Sequence, residues 1–200
     1  MRAIDLTAAS RNLLAPCCAT CTWWLSRPGV AAPPDLRTDW EQEVEAEAGF
    51  FGKALLDGAA VIGWMHVASS RLTPRASVLP AGPPLPDAYV LTCAYFYDEE
   101  YLRGFQSLLQ EIEAALKHRR VRALEAFGLR HVRGDDAFRG YLGELNLFNP
   151  DVLEGGGFRR VQEKGDVARF RLDLAALVEA PRHSVAWEHI EAPAGAQPVC

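Results

Sequence analysis

"AYVLTCAYFY", residues 88–97, leads through a short turn into "EEYLRGFQSLLQEIEAAL", residues 99–116. The first run is continuously apolar, the pattern of a central strand buried on both faces. In the second, Leu102, Phe105, Leu108, Leu109, Ile112, Ala115 and Leu116 fall on one broad helical stripe. Arg103-Gly104 lies where strand gives way to helix. A basic, glycine-containing turn there favours phosphate, because the first N–H groups of a helix lack partners and carry partial positive charge. Such turns usually hold two or three glycines, and this one holds a single glycine. It reads either as a phosphate cradle with part of its pattern missing, or as a helix start in which Arg103 is a solvated charge and Gly104 eases packing on the sheet.

Upstream, "RTDWEQEVEAEAGFF" (37–51) places Trp40, Val44, Ala48 and Phe51 on one helical face, with Glu41, Glu43, Glu45 and Glu47 mostly off it, as a solvated charge run. "GKALLDGAAVIGWMHVA" (52–68) reads as a hairpin around Asp57-Gly58. A long connection, residues 69–87, carries prolines 74, 80, 83, 84 and 86; loops of that length are usually functional or stiff surface excursions. Downstream, "RVRALEAFG" (120–128) reads as a strand, residues 129–149 as partly helical, and "GFRRVQEKGDVARFRLDL" (157–174) as a hairpin turning at Lys164-Gly165-Asp166. Helix, hairpin, loop, strand, helix, strand, helix, hairpin is an α+β order. The expected organisation is one domain over residues 1–176 and a peripheral C-terminal extension over 177–200.

At 200 residues, 49% hydrophobic and 24% charged, the chain is long enough for one core. A formal charge of −5 without a basic stripe argues against non-specific nucleic-acid binding. No apolar stretch approaches the roughly 20 residues of a membrane span, and the N-terminus lacks a signal-peptide core, so a cytoplasmic protein is expected. Cys17, Cys18, Cys21, Cys93 and Cys200 do not form a secreted disulfide framework. Cys18 and Cys21 have C-x-x-C spacing without a second pair; a zinc site would need a distant ligand such as Cys93 or a histidine. We read these thiols as small buried groups and assign no metal site, with a metal or redox role for "CCATC" as the minor alternative.

The element order and several motifs resemble the GNAT superfamily of acyl-CoA-dependent N-acyltransferases. The motifs are the cysteine-tryptophan segment Cys18–Trp24, "LTCAY" (Leu91–Tyr95), "RALEAFG" (Arg122–Gly128) and "GGGFRRV" (155–161). The resemblance spans roughly residues 13–174 and implies a central mixed, mostly antiparallel sheet flanked by helices. It further implies acyl transfer from acetyl-CoA, or another acyl-CoA, to an amine by direct attack, and it admits a homodimer. The family's pyrophosphate pattern falls on residues 101–106. Gly104 fits, Tyr101 stands in place of Gln or Arg, and Gln106 in place of a small residue. On this resemblance Tyr95, Phe96, Arg103, Gly104, Phe105 and Gln106 bind the coenzyme.

Acyl transfer requires deprotonation of the amine, a donor for the oxyanion and a proton for the thiolate. The resemblance implies a backbone N–H near Tyr95 and Phe96 as oxyanion donor. Its usual thiolate acid, a tyrosine ahead of Gly157-Phe158, is replaced by Leu153; Tyr141 or Tyr97 are substitutes. Glu99, Glu100 and above all Glu125, an acid in an apolar strand, are the candidate bases, with His66 behind them. We assign catalysis to Glu125 and Tyr141, and read Cys93 as packing. The departures at Tyr101, Gln106 and Leu153 sustain an alternative, a protein of the same shape that binds a ligand or partner without turnover.

Overall fold

The computed structural model describes residues 1–97, 101–130 and 146–176, with Tyr101 and Leu102 described in backbone only. Seven strands form one sheet: β1 (Arg2–Leu6), β2 (Gly52–Asp57), β3 (Ala60–Ser69), β4 (Ala88–Phe96), β5 (Ala123–Leu129), β6 (Arg159–Lys164) and β7 (Val167–Asp173). Their spatial order is β1-β2-β3-β4-β5-β7-β6. The helices are α1 (Pro16–Thr20), α2 (Leu36–Ala48), α3 (Tyr101–His118) and α4 (Pro150–Gly155). This is the α+β architecture expected from the sequence.

Two features of β4 shape everything that follows. It is antiparallel to β3 along its length, but parallel to β5 only at Ala88↔Ala123, Tyr89↔Leu124 and Val90↔Glu125. Beyond Val90 the two strands part, while β5 stays paired with β7 from Ala123 to Leu129. The sheet therefore splits into two wings joined at one end.

The second feature is a bulge. His66 pairs with Cys93 and Val67 with Leu91, so Thr92 is an extra residue. One inserted residue exchanges the faces of all that follow. Tyr89 and Leu91 face the α3 layer, and after the bulge so do Ala94 and Phe96. Val90 faces the opposite layer, and so do Tyr95 and Tyr97.

The α3 layer packs Phe105, Leu108, Leu109, Ile112 and Leu116 against the sheet together with Phe148, Leu153 and Phe170. The other layer joins Trp40 and Val44 of α2 to Leu14, Ala15, Trp24 and Leu25 of the N-terminal segment, over Trp64 and Phe127. The α2 stripe holds through Ala48, where Gly49 ends the helix in the left-handed region; Phe51 enters the core from beyond that end. Glu41 departs from the expected solvated run. It is buried, accepting from Arg11 Nε at 2.5 Å and Arg37 Nε at 2.7 Å. Packing the N-terminal segment against α2 covers it, and the two guanidiniums compensate its charge.

β1 and α4 were not legible as periodic segments, being five and six residues long. β1 is an edge strand held by β2. The helix expected within 129–149 falls mainly on residues outside those described, as does the C-terminal extension. Among the described residues no helix is long and apolar enough to cross a membrane.

Candidate functional site

Among the described strands, β4 and β5 diverge beyond Val90 and leave an opening between them. An opening between diverging strands is a place where an extended ligand can lie alongside a strand. Tyr95 and Phe96 lie on this stretch but face opposite layers. Tyr95 stacks on Trp64 with centroids 4.8 Å apart and meets Tyr97 edge-on at 5.2 Å. Phe96 turns toward α3.

Helix α3 starts beside this opening, with its first N–H groups directed past its N-terminus. Arg103 and Gln106 are exposed, whereas Gly104 and Phe105 are buried. The structure thus divides the α3 part of the sequence-derived coenzyme set into two solvent-facing polar residues and two core residues. Phe105 packs edge-on against Phe148 at 6.0 Å. A Cβ on Gly104 would lie 2.7 Å from the Phe96 ring. The glycine is therefore required by packing under the helix, whatever binds above it.

The β5 side of the opening is not bare. Phe148 N–H donates to Phe127 O at 2.8 Å and Leu129 N–H donates to Phe148 O at 2.9 Å. This short parallel bridge lines β5 just before α4 begins. Its sequence signal was present: Asn149-Pro150 is an N-cap followed by proline at the first helical position, and Asn149 Oδ1 accepts from Asp151 N–H at 2.8 Å. Leu153 is fully buried in the α3 layer, so no phenol stands at that place. Tyr97, half-buried at the end of β4, sits edge-on to Trp64 at 5.6 Å, and burial raises its pKa. Tyr141, Glu99 and Glu100 lie outside the described residues.

Glu125 does not face the opening. It is 0% exposed, and its carboxylate accepts from Arg169 Nη1 at 2.9 Å, Arg171 Nη1 at 3.0 Å and the Leu85 backbone N–H at 3.2 Å. Arg171 also grips Asp87. The sequence pattern had Glu125 pointing away from Leu124 and Ala126, which is correct, but loop 69–87 covers that face. With both oxygens engaged, the carboxylate ties the loop to β5 and β7.

The free thiols of Cys18, Cys21 and Cys93 are half-buried, whereas Cys17 is disulfide-bonded and so is not the free thiol expected. Cys93 Sγ lies 3.1 Å from His66 Nδ1. Burial pushes the Cys93 thiol pKa up and the His66 pKa well down, the latter helped by the Arg37 charge. Burial also raises Cys18 to about 11. A nucleophilic thiol needs the reverse. Among the described residues no group of three or more His, Cys, Asp or Glu is placed to hold a metal ion.

No family model matches the chain, and no curated protein matches it in sequence. Solved structures do share its shape. A GNAT-like decarboxylase, GphF, in complex with isobutyryl-CoA, superposes with a TM-score of 0.50 at 16% identity, covering 87% of this chain and 100% of the other. Ribosomal-protein-alanine N-acetyltransferase from Brucella melitensis gives 0.49 at 16% identity, covering 86% and 99%. The ribosomal-protein-S18-alanine N-acetyltransferase from Escherichia coli gives 0.48 at 12%, covering 91% and 99%. The fold is the GNAT fold, as the sequence motifs implied. At these identities the likeness carries shape alone.

Proposed function

We propose that the chain is an acyl-CoA-dependent N-acyltransferase acting through the opening between β4 and β5. The observation that carries this reading is the divergence of β4 from β5 beyond Val90, next to the N-terminus of α3. The opening has room for an extended acyl-pantetheine chain beside Tyr95; the helix N-terminus and exposed Arg103 suit a pyrophosphate. Gln106 faces solvent in the next turn. The isobutyryl-CoA held by a protein of the same fold supports an acyl-CoA as the donor.

In the reaction the amine nitrogen attacks the thioester carbon, the C–N bond forms, the C–S bond breaks, and the thiolate takes a proton. Tyr97, kept protonated by its raised pKa, is the described phenol nearest the end of β4 that suits this last step. We assign removal of the amine proton to Glu99 or Glu100, which follow β4 in sequence, because Glu125 is engaged by Arg169 and Arg171. Titration calorimetry with acetyl-CoA and coenzyme A tests the donor site, with micromolar affinity expected, about −8 kcal/mol. A thiol-release assay over a panel of amines then tests turnover. Absence of binding to both sinks the proposal.

A second reading has its own observation. Leu153 is buried where the thiolate acid is expected. A same-fold decarboxylase illustrates that this scaffold carries other acyl-CoA chemistry. Coenzyme binding without amine-dependent thiol release selects that alternative or a pure binding role.

A further inference from the structure

At the end of β4 away from the opening, an open cavity of about 760 Å³ lies between loop 69–87, the start of β4 and the turn from α3 to β5. That is within the range of small-molecule sites, roughly 300–1,000 Å³. Its charged lining comprises Glu47, Arg71, Asp87, Arg119, Arg120 and Arg122. Both acids are already matched. Arg171 Nη2 donates to Asp87 at 2.9 Å and lowers its pKa; Arg71 Nη2 donates to Glu47 at 2.8 Å, and Ser69 Oγ does so at 3.0 Å. Arg71 spends its other arm on Glu43. Arg119 donates to Ala115 O and lies over the Phe50 ring. Arg120 and Arg122 remain. Both are exposed, and among the described residues neither guanidinium makes a hydrogen bond or ion pair.

The backbone supplies an independent sign. α3 ends in a Schellman motif, with Val121 N–H donating to Leu116 O at 3.1 Å and Arg120 N–H donating to Lys117 O at 2.8 Å. Arg120 takes the left-handed position, φ 62°, where glycine is the usual residue. A side chain there costs about 1 kcal/mol. Attraction of cations to the helix C-terminus does not account for it, because Lys117 and His118 already occupy the last turn and Arg122 lies beyond it. Arg122 acts on Asp87 only through space, helping to lower its pKa. Strain is thus retained at a cavity wall beside guanidiniums without a hydrogen-bonded partner among the described residues, which points to a ligand.

We propose that this cavity binds a small molecule bearing two or more anionic groups, phosphates or carboxylates, gripped by the Arg120 and Arg122 guanidiniums with Arg119 beside them. Planar forks of this kind pair two-pronged with either group. The cavity lies at the Ala88 end of β4, roughly 27 Å along the strand from Phe96 at about 3.4 Å per residue. It is separate from the opening and stands whether or not the acyl-transfer reading does.

The test is calorimetric titration of the full chain at low ionic strength with pyrophosphate and, separately, citrate. The proteins compared are the wild type, the Arg120→Gly/Arg122→Ser double variant and Arg103→Ala. At least one probe is expected to bind, at least tenfold more weakly to the double variant and unchanged in Arg103→Ala. Which probe binds tells phosphate from carboxylate chemistry. Glycine suits the backbone at position 120, so a thermal melt at or above the wild-type midpoint keeps lost binding distinct from misfolding. The proposal is overturned if neither probe binds, if the double variant binds as the wild type does, or if Arg103→Ala alone abolishes binding, which would put the anion at the start of α3.

Discussion

The two ends of α3 use glycine in opposite senses. Near the start, Gly104 occupies an ordinary helical position and is forced to be small by the Phe96 ring beneath it. At the end, Arg120 occupies a left-handed position that favours glycine and yet carries a side chain. A glycine in a phosphate-like turn is thus weak testimony to phosphate once its packing is known. An arginine held where glycine would be easier testifies more strongly to a ligand. The upper end sets the divergence of β4 from β5 beside a helix N-terminus, where we propose the acyl-CoA. The lower end has side-chain charge to spare.

The sharpest way to break the comparison is to undo what fixes the lower end. Glu125→Ala leaves the buried Arg169 guanidinium without its carboxylate and frees Leu85, so a loss of about 3–5 kcal/mol is expected in urea unfolding. A loss under about 1 kcal/mol would show that the loop is held by other contacts. Next in size, Gly104→Ala should destabilise by about 1–3 kcal/mol through overpacking against Phe96. Adding Phe96→Leu should recover part of that; if it does not, the glycine is there for another reason.

Between the two ends lies His66, buried and with its pKa lowered by burial. The unfolded chain takes up the proton near pH 6.5 and the folded one resists it, so this contribution is complete above about pH 6.5 and is lost as pH falls. The slope is at most about 1.4 kcal/mol per pH unit. Chemical denaturation at pH 7 and pH 5 should show the loss, and His66→Gln should flatten it. The smallest effect is Arg120→Gly alone, which should raise stability by up to about 1 kcal/mol on a thermal melt. A fall in stability would mean that the arginine is structural and would remove the contrast between the ends.

Much of the scaffold was readable from side-chain pattern. The α3 stripe, the Asp57-Gly58 hairpin and the final hairpin each declare themselves within a dozen or two residues, because periodicity and turn chemistry are local. The site was less legible. Glu125 was found as an acid in an apolar strand, but its partners Arg169 and Arg171 come from β7 more than 40 residues on, and the loop that covers it from 40 residues back. The pyrophosphate alignment fell on the start of α3. It did not reveal that Gly104 belongs to the Phe96 contact, since a glycine has no side chain to show which neighbour forbids one.

The sequence by itself determined the longer elements, their order and the family likeness, because these follow from which residues are apolar and how they are spaced. Only the tertiary structure decided which way Tyr95 and Phe96 face, where β4 leaves β5, and which arginines keep their charge uncompensated. Each of these depends on pairing between distant segments. The Thr92 bulge is defined only against β3, and the parting only against β5. The free arginines are defined only once Asp87 and Glu47 have taken partners from β7 and the long loop.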